Sequence, residues 1–265
     1  MRKGFLLFLF VFTFSDHMQV LFPNGLFHKK SNTGKRIESA VRKALYRFEM
    51  LSDHKRIVIA LSGGKDSLSL MLMLAAIRGK GFPYVDLHAV HVGGKFSCGS
   101  EIHKSFLKNI CDKLDISFSS IDSPYSPDVP ECYSCSRFRR RILFKAAEDL
   151  DASAVAFGHH KNDSIQTTLM NLFHKGEFAG LPPVIHMHRF NVTILRPLIF
   201  VEENDIKKFA RENGFLRTTC RCPVVSLRSK TITLIEDLKT IFPQIENNIF
   251  LTSLKQGSNK SLSID

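Results

Sequence analysis

Arg56-Ile57-Val58-Ile59-Ala60-Leu61 runs directly into Ser62-Gly63-Gly64-Lys65-Asp66-Ser67, and this junction decides how the chain is read. The first six residues are a short, β-branched apolar run, which is the pattern of a strand buried on both faces. From Asp66 to Arg78 the period changes, with Leu68, Met71, Leu72 and Ala75 falling on one helical face. The hexapeptide between them is therefore a strand-to-helix turn. Two adjacent glycines let a backbone approach an anion closely, and the helix start offers N–H groups and a positive dipole end. Lys65 adds a charge suited to phosphate, and Ser62 and Ser67 add hydroxyl donors. Asp66 beside a phosphate makes sense when a magnesium ion bridges them or when the carboxylate orients donors. The spacing is not that of a Walker loop, which has a longer glycine span before its Lys-Ser/Thr.

Strand-like and helix-like stretches alternate outward from this turn. Helical spacing begins at Arg36, with Ile37, Val41, Ala44, Leu45 and Phe48 on one side. Further strands are expected at Tyr84 to Val92, Ile116 to Ile121, Ala154 to Gly158 and Val192 to Leu195. Helices are expected at Glu101 to Leu114, Arg137 to Leu150, Ser164 to His174 and Glu202 to Glu212, and again from about Lys230. A loop rich in Pro, Ser and Asp runs to Glu131, and Gly257 to Asp265 is a polar tail. The alternation predicts an α/β fold with a doubly wound parallel sheet. Ligands in such sheets bind beyond the carboxyl ends of the strands, which places the loops after Leu61, near Val92 and after Gly158 in one crevice.

The composition agrees with a globular chain. Of 265 residues, 44% are hydrophobic and 23% charged, which excludes a mostly disordered chain and a multi-span membrane protein. Lys and Arg number 37 against 25 Asp and Glu, a formal charge of +12 that suits a polyanion. Six cysteines occur, and Cys132-Tyr133-Ser134-Cys135 has metal-ligand spacing. Cys220-Arg221-Cys222-Pro223 offers further thiolates. Two metal readings stay open: zinc closed by Cys132, Cys135, Cys220 and Cys222, or a three-thiolate iron–sulfur cluster. For the latter Cys222 is the preferred third ligand, since it precedes Pro223 in a turn, with Cys220 the alternative. Cys111 lies in a helix and reads as a buried structural thiol.

Taken together, SGGKDS at 62–67, ECYSCSRFRRRILF at 131–144, GHHKND at 158–163 and ILRPL at 194–198 resemble the tRNA-cytidine(32) 2-sulfurtransferase family of PP-loop ATP pyrophosphatases. The resemblance runs from about Ile37 to Leu254. It implies an adenine nucleotide alpha-hydrolase-like fold, ATP, magnesium and a three-cysteine 4Fe-4S cluster as cofactors, and 2-thiocytidine in tRNA as product. It departs from the family at Asn162, where an acid is usual, at the CRC spacing of Cys220 and Cys222, and in its short C-terminal tail. The residues it points to for ATP are Ser62, Gly63, Gly64, Lys65, Asp66, Ser67, Gly158 and His159. Lys65, Asp66 and Asp163 are the expected catalytic contacts. His159 and His160 are read either as nucleotide or tRNA contacts or as satisfied strand-end histidines. The basic run Arg137, Arg139, Arg140 and Arg141 is the expected tRNA phosphate contact, with Arg42, Lys43 and Arg47 a second patch.

The implied partners are tRNA and a sulfur donor such as a cysteine desulfurase, with a homodimer as the assembly considered and no stable membrane partner. Two other readings share the PP-loop, a 2-thiouridine synthetase and a lysidine-synthetase-like ligase. A third, of another class, is a zinc-containing nucleotide-binding protein tethered by its N-terminus. That reading comes from residues 1–30, where Phe5, Phe8, Phe10, Phe12 and Phe14 lie in an eleven-residue apolar run after Arg2 and Lys3. The run is shorter than the ~20 residues a spanning helix needs, and no small-x-small cleavage site follows. ATP, tRNA and a reduced cluster belong to the cytoplasm, so residues 1–30 are read as a non-catalytic extension. The domain proper is expected over 31–254, with 255–265 as tail.

Overall fold

The structure is a computed structural model that describes residues 31–94, 104–124, 132–215 and 227–256. Six strands form one sheet: β1 (Arg56–Ala60), β2 (Asp86–Gly93), β3 (Ser117–Asp122), β4 (Ala154–Ala156), β5 (Val184–Met187) and β6 (Val192–Leu195). Their order is β3-β2-β1-β4-β6-β5. All neighbours pair in parallel except β5, which runs antiparallel to β6 at the edge. The chain leaves β1 toward β2 and β3 on one side and returns to β4 on the other. The strand order therefore reverses between β1 and β4, and the crevice of a doubly wound sheet opens there.

Eight helices pack around this sheet among the described residues: α1 (Asn32–Arg47), α2 (Lys65–Ile77), α3 (Lys104–Lys113), α4 (Cys132–Asp149), α5 (Lys161–Lys175), α6 (Glu203–Glu212), α7 (Leu227–Ile241) and α8 (Ile245–Gln256). Alternation along β1 divides the core. Ile57, Ile59 and Leu61 join α1, α2, α3 and α6 on one face, whereas Val58 joins Val90, Val155 and the α4 residues Leu143, Phe144 and Ala147 on the other. Both faces of the parallel strands are buried, which is why β1 reads as a continuous apolar run rather than an alternating one.

Several boundaries differ from the sequence expectation. Helix α1 begins at Asn32, because the Ser31 side chain accepts the Gly34 N–H at 3.0 Å and caps it. Helix α4 begins at Cys132 rather than Arg137, so the CxxC pair lies inside a helical turn. No glycine or proline follows Pro130 in this stretch, and nothing interrupts the helix once it starts. Helix α5 begins at Lys161, three residues early, which brings Asp163 into its first turn. Strand β5 has no counterpart in the sequence reading. Its four residues are closed onto β6 by a short 3₁₀ turn, His188–Phe190, with Asn191 at φ 46°. The C-terminal helices are separated at Pro243, which cannot continue α7.

No helix among the described residues is long and apolar enough to cross a membrane. The 1–30 extension, the tail beyond 256 and Cys98, Cys220 and Cys222 lie outside the described residues.

Candidate active site

The turn after β1 is held by its own serines. Ser67 Oγ accepts the Gly63 N–H at 3.1 Å, lies 3.0 Å from Ser62 Oγ and donates to the Gly64 carbonyl at 3.1 Å. Ser67, expected to bind phosphate, is thus a buried pin that shapes the loop. Gly63 has φ 81°, a conformation other residues rarely adopt. Gly64 is different: its φ of −75° suits any residue, and an added Cβ would meet only Ser62 Oγ, at 3.5 Å. The fold itself does not require glycine at 64. The bare backbone there fits a close ligand, and no side chain caps α2 at Gly64, so its first N–H groups have no capping acceptor. This arrangement accepts a phosphate chain.

Lys65 Nζ lies 2.9 and 3.0 Å from the two oxygens of Asp66 and 3.2 Å from Glu203 Oε1 on α6. Burial alone lowers the Lys65 ammonium, but Asp66 and Glu203 outweigh it and hold it above its ordinary value. Lys65 is therefore a cation throughout the neutral range.

The loop after β4 lies against the start of α2. A Cβ on Gly158 would come within 2.9 Å of the Asp66 carbonyl carbon and 3.0 Å of the Ser67 nitrogen. Only glycine allows that approach. Beyond it His160, 4% exposed, places Nε2 at 3.7 Å from Asp66 Oδ1 and 3.4 Å from Asp163 Oδ2. Asp163 Oδ2 also accepts the His160 backbone N–H at 3.1 Å, capping α5, and Asp163 Oδ1 faces Arg228 of α7 at 3.3 Å. Burial raises the Asp163 carboxyl, yet His160, His159 and Arg228 bring it below its usual value. A row of polar contacts, Lys65, Asp66, His160, Asp163 and Arg228, thus crosses from one loop to the other and onto α7.

His159 stacks on Phe157, with ring centroids 5.6 Å apart. Burial, then the Arg196 charge, pull its imidazole down to about 3, so it is neutral at physiological pH. Arg196, at the carboxyl end of β6, is 6% exposed and donates to the Pro182 carbonyl. Burial, followed by Arg140, pulls its guanidinium down to about 10. The buried Nδ1 atoms of His159 and His160 and Nε of Arg196 make no hydrogen bond within the protein.

Helix α4 carries the cysteines to the same edge of the sheet. Arg139 donates to the Val92 carbonyl, at the carboxyl end of β2, over 3.4 Å. Positions 132 and 135 are one helical turn apart, and Cys135 is half-buried. The start of a helix favours negative charge, and thiolates are suited to zinc or an iron–sulfur cluster. The expected basic run divides: Arg137, Arg140 and Arg141 are exposed, whereas Arg139 is half-buried against β2. Cys111 is fully buried on α3, its Sγ 3.6 Å from Met71 Sδ, with its thiol pushed up by burial to about 12. It is a packing residue, as the sequence indicated.

Glu203, Arg196, Arg228 and Glu246 were not singled out as site residues in the sequence. Arg196 and Glu203 do follow strand β6, so the rule that ligands sit beyond strand carboxyl ends contains a signal for them. Arg228 and Glu246 come from helices with no motif of their own.

A family model described as the PP-loop domain matches residues 30–216. The chain is 31% identical over 228 residues to a tRNA-cytidine(32) 2-sulfurtransferase of Geobacter sulfurreducens, covering 81% of this chain and 87% of that one. It is 33% identical over 228 residues to the protein of the same name from Paraburkholderia phymatum, covering 82% and 67%. Among solved structures it resembles the U34-tRNA thiolase NcsA from Methanococcus maripaludis, solved with its 4Fe-4S cluster, with a TM-score of 0.66. That likeness, at 22% identity over 83% of this chain and 77% of that one, is one of fold.

Proposed function

This chain belongs to the tRNA-cytidine(32) 2-sulfurtransferase family of PP-loop proteins, and from that premise we propose that it replaces O2 of a tRNA cytidine, at position 32, with sulfur at the expense of ATP. One observation carries the reading: the Gly158–Asp163 loop packs against the Ser62–Ser67 loop beyond the carboxyl ends of the strands, and α4, whose first turn bears the cysteines, bonds through Arg139 to Val92 at the carboxyl end of β2.

The carbonyl oxygen of cytosine is a poor leaving group, so it must be activated first. Lys65 and the uncapped N–H groups of α2 hold the β and γ phosphates of ATP. O2 of the base then attacks the α phosphorus, and pyrophosphate departs with the charge that these donors stabilise. Asp66 and Asp163 would hold a magnesium ion, which neutralises charge developing on pyrophosphate. The O2-adenylated base is attacked at C2 by a sulfur nucleophile, and AMP leaves with the former O2. Cys132, Cys135 and Cys222, with Cys220 as the alternative third ligand, would hold a 4Fe-4S cluster, which would supply that sulfide. Gly158 and His159 line the nucleotide, and neutral His159 orients without carrying charge.

The target base reaches this edge only if splayed out of its loop, and Arg137, Arg140 and Arg141 hold the flanking phosphates. Arg139 supports the α4 turn from within. A cysteine desulfurase, together with a two-electron reductant such as a thiol that brings its persulfide sulfur to the sulfide level, is the sulfur source in this reading, the cytoplasm the compartment and a homodimer the assembly. Mass analysis of tRNA nucleosides tests the function directly. A deletion strain should lack 2-thiocytidine, and the intact gene but not a Lys65→Ala version should restore it. Persistence of 2-thiocytidine in the deletion strain refutes the reading.

A further inference from the structure

Glu203 is the one acidic side chain outside the PP-loop that an ion pair joins to Lys65 among the described residues, at 3.2 Å. It stands in the first turn of α6, and its own backbone N–H donates to Asn162 Oδ1 over 3.0 Å. The same Asn162 amide donates through Nδ2 to Glu246 Oε1 of α8 at 3.3 Å, and Glu246 is paired in turn with Lys239 at 3.1 Å. Asn162 therefore uses both ends of its amide. With one it fixes the start of α6, and with the other it ties the nucleotide loop to the C-terminal helices. Replacement by Asp would set a carboxylate against Glu246.

An ammonium group has three N–H donors. In Lys65 the two Asp66 oxygens, at 2.9 and 3.0 Å, belong to one carboxylate and approach Nζ from one side, so they share one of these directions, and Glu203 takes a second. The third is thereby fixed in direction rather than free to rotate. A donor held in place before reaction costs no reorganisation as charge develops on a phosphate oxygen, so its benefit falls on the transition state more than on the bound ground state. Glu203 remains a carboxylate for this task, since Lys207 and Lys65 outweigh the effect of its burial.

We propose, on the basis of the ATP-dependent reading above, that Glu203 is a positioning residue that aims Lys65 at the departing pyrophosphate, and that Asn162 in turn aims Glu203. Both act through Lys65, and neither touches substrate.

The test uses holoenzyme with its cluster reconstituted, ATP, and tRNA from a strain without 2-thiocytidine, with pyrophosphate release as readout. Glu203→Ala should lower kcat about tenfold while the KM for ATP changes less than threefold. Glu203→Gln keeps an acceptor oxygen and should stay within threefold of the parent kcat. Asn162→Ala should lower kcat in the same way, and the double variant Asn162→Ala, Glu203→Ala should be no slower than Glu203→Ala alone. A Glu203→Ala kcat within twofold of the parent overturns the proposal. So does a loss lying wholly in KM, a Gln variant no better than Ala, or a multiplicative double variant. If Glu203→Ala fails to fold, as followed by circular dichroism, Glu203→Gln and Asn162→Ala decide it, and a parental kcat in Asn162→Ala overturns it. Parent holoenzyme that releases no pyrophosphate with tRNA refutes the ATP-dependent reading as well, a result distinct from an active parent with unaffected variants.

Discussion

Gly158 and Gly64 carry the same side chain for opposite reasons, and alanine at each separates shape from binding. At Gly158 the new methyl group would sit 2.9 Å from the Asp66 carbonyl carbon, 3.0 Å from the Ser67 nitrogen and 3.1 Å from the Asp66 oxygen. Carbon atoms prefer about 3.5–4.0 Å, so the loop after β4 or the start of α2 must move by roughly 0.6 Å or more. All three obstructing atoms are backbone, and none can yield by rotating a side chain. Overpacking of this kind costs about 1–3 kcal/mol. Taking ~2 kcal/mol, Gly158→Ala should melt about 4–8 °C below the parent. The same shift misplaces Lys65 and His160, and displacements near 1 Å cost up to about a hundredfold in rate.

At Gly64 the methyl group meets only Ser62 Oγ at 3.5 Å, and φ is already −75°. Gly64→Ala should therefore keep or slightly raise the melting temperature, by about 0.4–1 kcal/mol from the stiffer unfolded chain. It should nevertheless lose ATP affinity by tenfold or more, because the methyl group fills the space a phosphate needs. Thermal denaturation and calorimetric titration with a non-hydrolysable ATP analogue measure both effects. If Gly158→Ala melts within 1 °C of the parent, or if Gly64→Ala binds the analogue as well as the parent, this account of the two loops is wrong.

Acid should unfold the protein partly through His159. Its folded value of about 3 lies below the ordinary ~6.5, so between these two values the unfolded chain binds a proton that the native chain does not. Stability from this group is complete above about pH 6.5 and falls by up to about 1.4 kcal/mol per pH unit as pH drops toward 3. Urea midpoints for His159→Gln should show a shallower acid limb, and an identical limb would remove His159 from the account. Purified anaerobically, Cys132→Ala with Cys135→Ala should lack iron and acid-labile sulfide and make no 2-thiocytidine, yet bind the ATP analogue within threefold of the parent; retained iron would place the cluster elsewhere. Arg137→Ala, Arg140→Ala and Arg141→Ala should each weaken tRNA binding and reduce the salt slope of its logarithm by about 1. Arg139→Ala should instead lower the melting temperature, since its guanidinium holds the Val92 carbonyl; a pure salt-slope effect there would place it with the other three.

Much of the nucleotide end was legible because its signals are local. The change from apolar run to helical period across Leu61 and Asp66, with the glycine pair between, specifies strand, turn and helix within a dozen residues. The assignment of α4 was less complete. Arg137 to Leu150 has the apolar spacing of a helix, but the Cys-Tyr-Ser-Cys-Ser stretch before it has no periodicity, and only the continuous hydrogen-bonded helix places the cysteines in its first turn. Strand β5 escaped for a similar reason. Val184 to Met187 is four residues long and lies at the sheet edge, exposed enough that no alternation stands out. What makes it a strand is the pairing with β6, a tertiary contact.

By itself the sequence determined the α/β class, the PP-loop, the cysteine pair, the histidine-bearing second loop and the family to which they point. All of these are patterns carried by neighbouring residues, whose local geometry follows from backbone sterics and period. Tertiary structure alone decided what surrounds them. Glu203 on Lys65, Arg228 on Asp163, Glu246 on Asn162 and the contact of Gly158 with the start of α2 join residues far apart in the chain. Ion pairs and hydrogen bonds of this kind require only proximity and complementary charge. Neither leaves a period or a motif, so only a sheet that turns back on itself between β1 and β4 could bring them into view.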